Sequence, residues 1–291
     1  PRSKGCCPAA CTDNSRFIRL ALPSTMAAST TCPTPLQSWG HERPVETVDL
    51  IIGGPPCPAF TRIGTEALYA LATDTLIALH KKMPAGELAT LPVFDDARAL
   101  REVQLLLDWY WPAHFGMPVP DDVRQEFVTA WEQVLPRREA VPKSIALFDF
   151  HVDNLLVLKG RPGIEACGLL DFQDAVLAPV TFDLVSLLED VRRNVPWDLM
   201  TRMIERYLSA NPGIDRDAYL SAYAIIGGQR NTRIAGTFAR LLKRDGKPWY
   251  QRFMPRVWEL IAHDISHPVM APVAAWYARH LPPAERAVVA A

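Results

Sequence analysis

One cysteine, Cys167, serves everything after residue 60; the other five, Cys6, Cys7, Cys11, Cys32 and Cys57, crowd the start of the chain. No two are spaced CxxC and no histidine cluster stands beside them, which argues against a zinc site. With no export signal in view, a reduced, cytoplasmic setting is the expectation. Phe17 to Pro23 is too short and too poorly flanked for a signal peptide. No apolar run approaches the roughly eighteen residues that a membrane span needs. An excess of one charge is missing too: 31 Lys and Arg meet 32 Asp and Glu, a net charge of −1. That balance leaves no footprint for nucleic acid or an anionic membrane. Internal repeats are also lacking.

What is present is ordinary for a globular protein. The 291 residues are 49% hydrophobic and 22% charged, enough to bury a proper core. The chain opens on Pro1 and its first methionine is Met26, so its natural start is expected to be missing or different. Residues 1 to 41 are rich in Pro, Ser, Thr, Ala and Cys without a sustained period, and are expected to be poorly structured. From Glu66 helical periodicity takes over, with Leu68, Leu71, Ala72, Thr75, Leu76 and Leu79 ending near Met83 and Pro84. Further helices are expected at Asp95–His114, Asp121–Val134, Thr181–Arg193, Pro196–Leu208, Asp215–Arg244, Trp249–Ala262 and Pro268–His280. The aromatic cluster Trp109, Tyr110 and Trp111 reads as core rather than as a sugar platform. Gly227 and Gly228, inside the longest helix, each cost about 1 kcal/mol against alanine, which suggests close helix packing there.

The most informative stretch is LFDFHVDNLLVLKGRPGIEACGLLDFQDA, Leu147 to Ala175. Asp149 and Asn154 stand five residues apart on a tight loop. An apolar run, Leu155 to Leu158, a Lys-Gly-Arg-Pro-Gly turn and a second run, Cys167 to Leu170, lead directly to Asp171. That is a short hairpin with acidic and amide groups at one edge. Phosphoryl transfer uses such a set: one carboxylate takes the proton of the attacking hydroxyl, and an amide oxygen with another carboxylate holds magnesium. The bland reading is that Asp and Asn form turns and cap helices, as they usually do in loops.

Extended by GLLDFQDAVLAPVTFDLVSLLEDVRR, this stretch resembles the aminoglycoside phosphotransferase/choline kinase-like family. Within it the chain is most similar to bacterial kinases that phosphorylate N-acetylmuramate and N-acetylglucosamine at the anomeric hydroxyl in cell-wall recycling. The resemblance covers about residues 65 to 291. It implies an α+β, protein-kinase-like fold with a mainly helical C-lobe and a truncated or degenerate N-lobe. It also implies ATP and Mg2+ as cofactors, a small-molecule sugar as acceptor, and a monomer. Asp149 would be the catalytic base, Asn154 and Asp171 the metal ligands, and His151, Asp153 and Asp174 groups near substrate or a second ion. Asp183 would brace the catalytic loop through backbone hydrogen bonds. Two departures stand out. Leu147 occupies the place of the family's histidine, and residues 1 to 64 offer neither a glycine-rich turn nor a strand-borne lysine to clamp a nucleotide.

A second, shorter resemblance lies at Val45 to Gly64, VETVDLIIGGPPCPAFTRIG. It is similar to the motif in which DNA cytosine-5 methyltransferases present a nucleophilic cysteine, here Cys57, to a flipped-out base. The accompanying glycine-rich cofactor loop and Glu-Asn-Val motif are lacking. Gln229-Arg230-Asn231-Thr232-Arg233 is faintly similar to the family's QxRxR, but Asn231 stands where the middle Arg should be, and the stretch is better explained inside the kinase-like helices. The expected organisation is therefore a degenerate segment over 1–64, carrying a strand-loop of methyltransferase type, joined to a kinase-like lobe over 65–291. Three functions stay open: a small-molecule kinase, a silent kinase-like chimera, and a methyltransferase fragment acting through Cys57.

Overall fold

The computed structural model describes residues 48–49 and 62–289; Cys57 and most of the methyltransferase-like segment lie outside the described residues. A 21-residue helix, α1 (Arg62–Lys82), opens the continuous part and packs along α7 (Trp197–Ala210). Their exposed pairs, Arg202 with Glu66 and Arg206 with Asp74, fix the register and add little stability. A short α2 (Ala85–Leu88) follows, then α3 (Asp96–Val103), whose first turn is capped by Asp95 accepting from Arg98 N at 2.7 Å.

The helix expected over Asp95–His114 is interrupted. After α3 the backbone widens into one π-helical segment, Leu106–Tyr110, before α4 (Trp111–Phe115). The cause sits across the core. Gly236, in the long helix α8 (Arg216–Lys243), approaches the Leu105 backbone so closely that a Cβ there would lie 2.2 Å from the Leu105 carbonyl carbon. Leu106, Leu107, Tyr110 and Trp111 are buried by this arrangement, and Trp109 packs half-buried against the same core. The aromatic cluster is core.

Helix α8 is the spine of the molecule. It starts at an Asp215 cap, runs 28 residues, and is lined on one side or another by α3, the π-helical segment, α6 (Phe182–Leu188) and α9 (Met254–Ile265). The glycine pair has the expected role. A Cβ on Gly227 would fall 2.7 Å from Asp264 Oδ1 on α9, and one on Gly228 2.8 Å from Met270 Cε. At the same level Asn231 donates through Nδ2 to Glu189 Oε2 (2.6 Å) and Asp264 Oδ2 (2.9 Å), with all three residues buried. On the far side α5 (Asp121–Val134) packs against α10 (Ala271–His280), where Trp276 Nε1 donates to Val123 O.

Two small antiparallel sheets sit against this helical body. Strand β2 (Lys143–Ala146) pairs with β5 (Val176–Pro179), a strand absent from the sequence reading. Strand β3 (Leu155–Leu158) pairs with β4 (Cys167–Leu169) as the expected hairpin, and β1 (Val48–Asp49) adds to the outer edge of β3. Helix α6 stops at Leu188 instead of continuing to Arg193, because Asp190 Oδ1 accepts from Arg192 N and turns the chain. The last two expected helices each begin with a proline-led 3₁₀ turn, Pro248–Phe253 before α9 and Pro268–Met270 before α10.

Two measurements follow from this packing. Gly236→Ala forces backbone apart at the tightest crossing and should lower the urea unfolding free energy by about 3 kcal/mol. The second concerns pH. Burial pushes the Glu189 carboxyl up to about 7 from 4.5 and that of Asp264 well above 3.8. The folded protein therefore keeps protons that the unfolded chain releases, so the stability these two groups contribute is full below about pH 4 and is lost as pH rises through 7. Asp264→Asn, unable to ionise, should make the decline between pH 5 and 8 shallower in denaturant titrations. An unchanged slope would exclude the pair as its source.

Candidate active site

The residues singled out between 149 and 183 are gathered around one loop. Strand β2 ends at Ala146, and the chain then tightens through Asp149 N to Leu147 O (2.9 Å), His151 N to Asp149 O (3.0 Å) and Asn154 N to His151 O (2.9 Å). Phe148 adopts φ +73°, a left-handed conformation that a bulky residue reaches only at a cost of about 1–3 kcal/mol. Three contacts hold it. Its ring stacks on Phe182 at 5.4 Å, and the guanidiniums of Arg98 and Arg233 lie 4.7 and 5.1 Å from its centroid.

Asp183 lies beneath, at the start of α6, buried to 1% exposure. Its Oδ2 accepts from Leu147 N at 2.6 Å and its Oδ1 from Phe148 N at 3.2 Å. Burial pushes its carboxyl up to about 7, against the pull of these two donors. Asp149 is half-buried on the loop. The Asn154 side chain donates to Asp149 O at 2.9 Å and lies 3.3 Å from His151 Nε2. With its N–H groups so committed, Oδ1 is the atom left to bind a ligand.

Hairpin register brings Asp171 beside Asn154. Leu155 pairs with Leu169, and Leu170 N donates to Asn154 O at 3.0 Å, so Asp171 follows one residue beyond. Asp171 has φ +57°; among the described residues it and Phe148 are the two non-glycine residues with positive φ. Its exposed carboxylate accepts from Gln173 Nε2 at 2.7 Å, while Asp174 sits exposed on the following turn. An amide oxygen and a carboxylate at the ends of two paired strands are the hard donors that a magnesium ion takes.

A second group was not legible as a unit. Ligand atoms of His151, Asp153 and Asp190 lie within 4.8 Å of one another. Arginines already engage both carboxylates: Arg193 reaches Asp153 at 2.9 Å, and Arg192 reaches Asp190 at 2.8 Å and Asp153 at 3.4 Å. The cluster is thus a charge-balanced network that ties the loop to the turn after α6. Burial, then Arg192, lowers the pKa of His151 and keeps its ring neutral near pH 7. Only the helical turn that α6 fails to make brings Asp190 and Arg192 here.

The Asp183 brace has a direct test. Asp183→Ala leaves two buried N–H groups unpaired and should cost about 2–5 kcal/mol in urea unfolding, with Asp183→Asn, which keeps one acceptor, costing less.

A sequence profile of the phosphotransferase enzyme family, APH, matches residues 52–220. An N-acetylmuramate/N-acetylglucosamine kinase of Caulobacter vibrioides is 35% identical over 221 residues, 74% of this chain and 61% of that protein. One of the same name from Neisseria meningitidis is 35% identical over 199 residues, 66% and 57% of the respective chains. The chain spans about three fifths of the length of these curated relatives. A choline/ethanolamine kinase family protein from Mesorhizobium loti shares the fold, with a TM-score of 0.50 at 14% identity, covering 74% of this chain and 67% of that one. That likeness makes the fold protein-kinase-like, with the helical body as its C-lobe. The profile match takes in the loop, the hairpin and Asp183, and by it this chain belongs to the phosphotransferase enzyme family.

Proposed function

We propose that this chain carries the acceptor-binding and catalytic lobe of an ATP-dependent kinase that phosphorylates a small amino sugar of the N-acetylmuramate/N-acetylglucosamine type. One observation carries the reading: the β2 loop and the β3–β4 hairpin bring Asp149, Asn154 and Asp171 to the same edge. The names of the relatives supply the acceptor class.

In this reading Asp149 accepts the proton of the acceptor hydroxyl as its oxygen forms a bond to the γ-phosphorus of ATP, and ADP departs. Magnesium, held by Asn154 Oδ1 and the Asp171 carboxylate, would offset the charge on the phosphates. Asn154 also fixes the Asp149 backbone, so the base and the metal ligand move as one piece. His151, neutral and backed by Asp190, would donate or accept hydrogen bonds at the acceptor's hydroxyls without adding charge. Asp153 is spent on Arg192 and Arg193, so its part is to anchor the loop. Asp174, exposed beside Asp171, is a candidate for a second ion.

The alternative is a silent kinase-like chain, which keeps the fold without turnover. Product formation decides between them. The protein with Mg-ATP should phosphorylate N-acetylmuramate or N-acetylglucosamine. Asp149→Asn should lower kcat by about 10²–10⁴-fold, as loss of a general base does, with little change in KM. Wild-type protein that binds nucleotide yet yields no sugar phosphate would exclude the kinase reading.

A further inference from the structure

The motif Gln229-Arg230-Asn231-Thr232-Arg233 is only partly accounted for by packing. Asn231 bridges two carboxylates, and Gln229 Nε2 donates to Glu102 Oε2 at 3.1 Å. Arg230 has no such role. It is 5% exposed, yet its guanidinium makes one long hydrogen bond, Nη1 to Glu189 O at 3.4 Å, and its Nε has no partner. Among the described residues it forms no ion pair. A guanidinium offers five donors, and burying one with a single weak acceptor is costly unless a ligand completes the set.

Its surroundings sharpen the point. Arg192 and Arg193 are matched by Asp153 and Asp190. Arg233, one turn along α8, is held only loosely, 3.8 Å from Glu102, and lies over the ring of Phe148, the residue preceding Asp149. Burial, followed by the neighbouring Arg233, lowers the pKa of Arg230 to about 10 against the pull of Asp190 and Glu189, neither of which reaches it as an ion pair, so it remains charged at neutral pH. The incompletely paired positive charge of this region is therefore on one face of α8, against the loop that carries the proposed base.

We propose that Arg230 and Arg233 form an anion subsite that receives a carboxylate borne by the acceptor, and so set a preference for an acidic sugar over its neutral counterpart. This rests on the kinase reading above. Each guanidinium is a planar fork of N–H donors, the group that pairs with a carboxylate through two parallel hydrogen bonds. N-acetylmuramate differs from N-acetylglucosamine by a lactyl ether whose free end is such a carboxylate.

The test uses the full chain with Mg-ATP and three probes: N-acetylmuramate, its neutral methyl ester, and N-acetylglucosamine. Unaltered protein should bind the acid about 10- to 100-fold more tightly than the ester, the range of a lost charge-assisted hydrogen bond. Arg230→Gln, and independently the less buried Arg233→Gln, should each shrink the ratio of kcat/KM between acid and ester, with the KM for ATP held. Equal binding of acid and ester by unaltered protein overturns the subsite, without any variant having to fold. A rise in the KM for ATP that matches the loss for sugar also overturns it, because the cations would then serve the nucleotide phosphates. Failure to phosphorylate any of the three sugars overturns the kinase reading itself, whereas turnover of acid and ester at equal kcat/KM overturns the subsite alone.

Discussion

Two backbone N–H groups, those of Leu147 and Phe148, depend on one buried carboxylate, Asp183. Most of the candidate site depends on that arrangement. A loop leaving a strand would ordinarily satisfy its N–H groups with water; here they point into the core, where leaving them unpaired is expensive. Asp183 converts that liability into a clamp. It holds the N–H of Phe148, a residue in a left-handed conformation directly before Asp149. The strain is offset by the stacking of the Phe148 ring on Phe182, the residue next to Asp183 in α6. Brace and counterweight therefore arrive on a single turn of helix.

The same economy runs through α8. Its glycines let α9 and the Leu105 backbone approach closely, and the polar residues between those glycines fill the space that results. Glu189, Asn231 and Asp264 form a buried polar layer directly behind the loop's supporting turn. Such a layer is poor value as a source of stability, since the same volume of apolar side chains would do as well or better. Its position is more telling. It joins the end of α6, the middle of α8 and α9 at the level where Arg230 emerges toward the loop, so the rigid core and the charged face of the site share residues.

Much of this was legible in the sequence, for identifiable reasons. The hairpin announces itself because Leu155–Leu158 and Cys167–Leu169 are apolar runs around a glycine-rich turn, and α5 because two acids follow a proline. Asp183 is different: nothing in its spacing marks it, and only the resemblance singled it out. Strand β5 escaped because Val-Leu-Ala-Pro after a loop ends in a residue that normally discourages pairing; here Pro179 occupies the last position of the strand, opposite Lys143. The π-helical segment escaped as well, since helical periodicity cannot report a contact with Gly236 some 130 residues away in sequence. The arginine and carboxylate network around His151 was illegible for the same reason. Asp153 lies in the loop and Asp190, Arg192 and Arg193 in the turn after α6, and only the early stop of α6 brings them together.

The loop before Asp149 is part of the core and not a mobile connector. Amide hydrogen exchange at Leu147 and Phe148 measures this most directly. If Asp183 holds these two groups, they should exchange with protection approaching that of the α8 interior, and the Asp183→Asn variant should lose protection at one or both while α8 keeps its own. Exchange of both amides in the unaltered protein at the rate of an open, solvated loop would contradict the account.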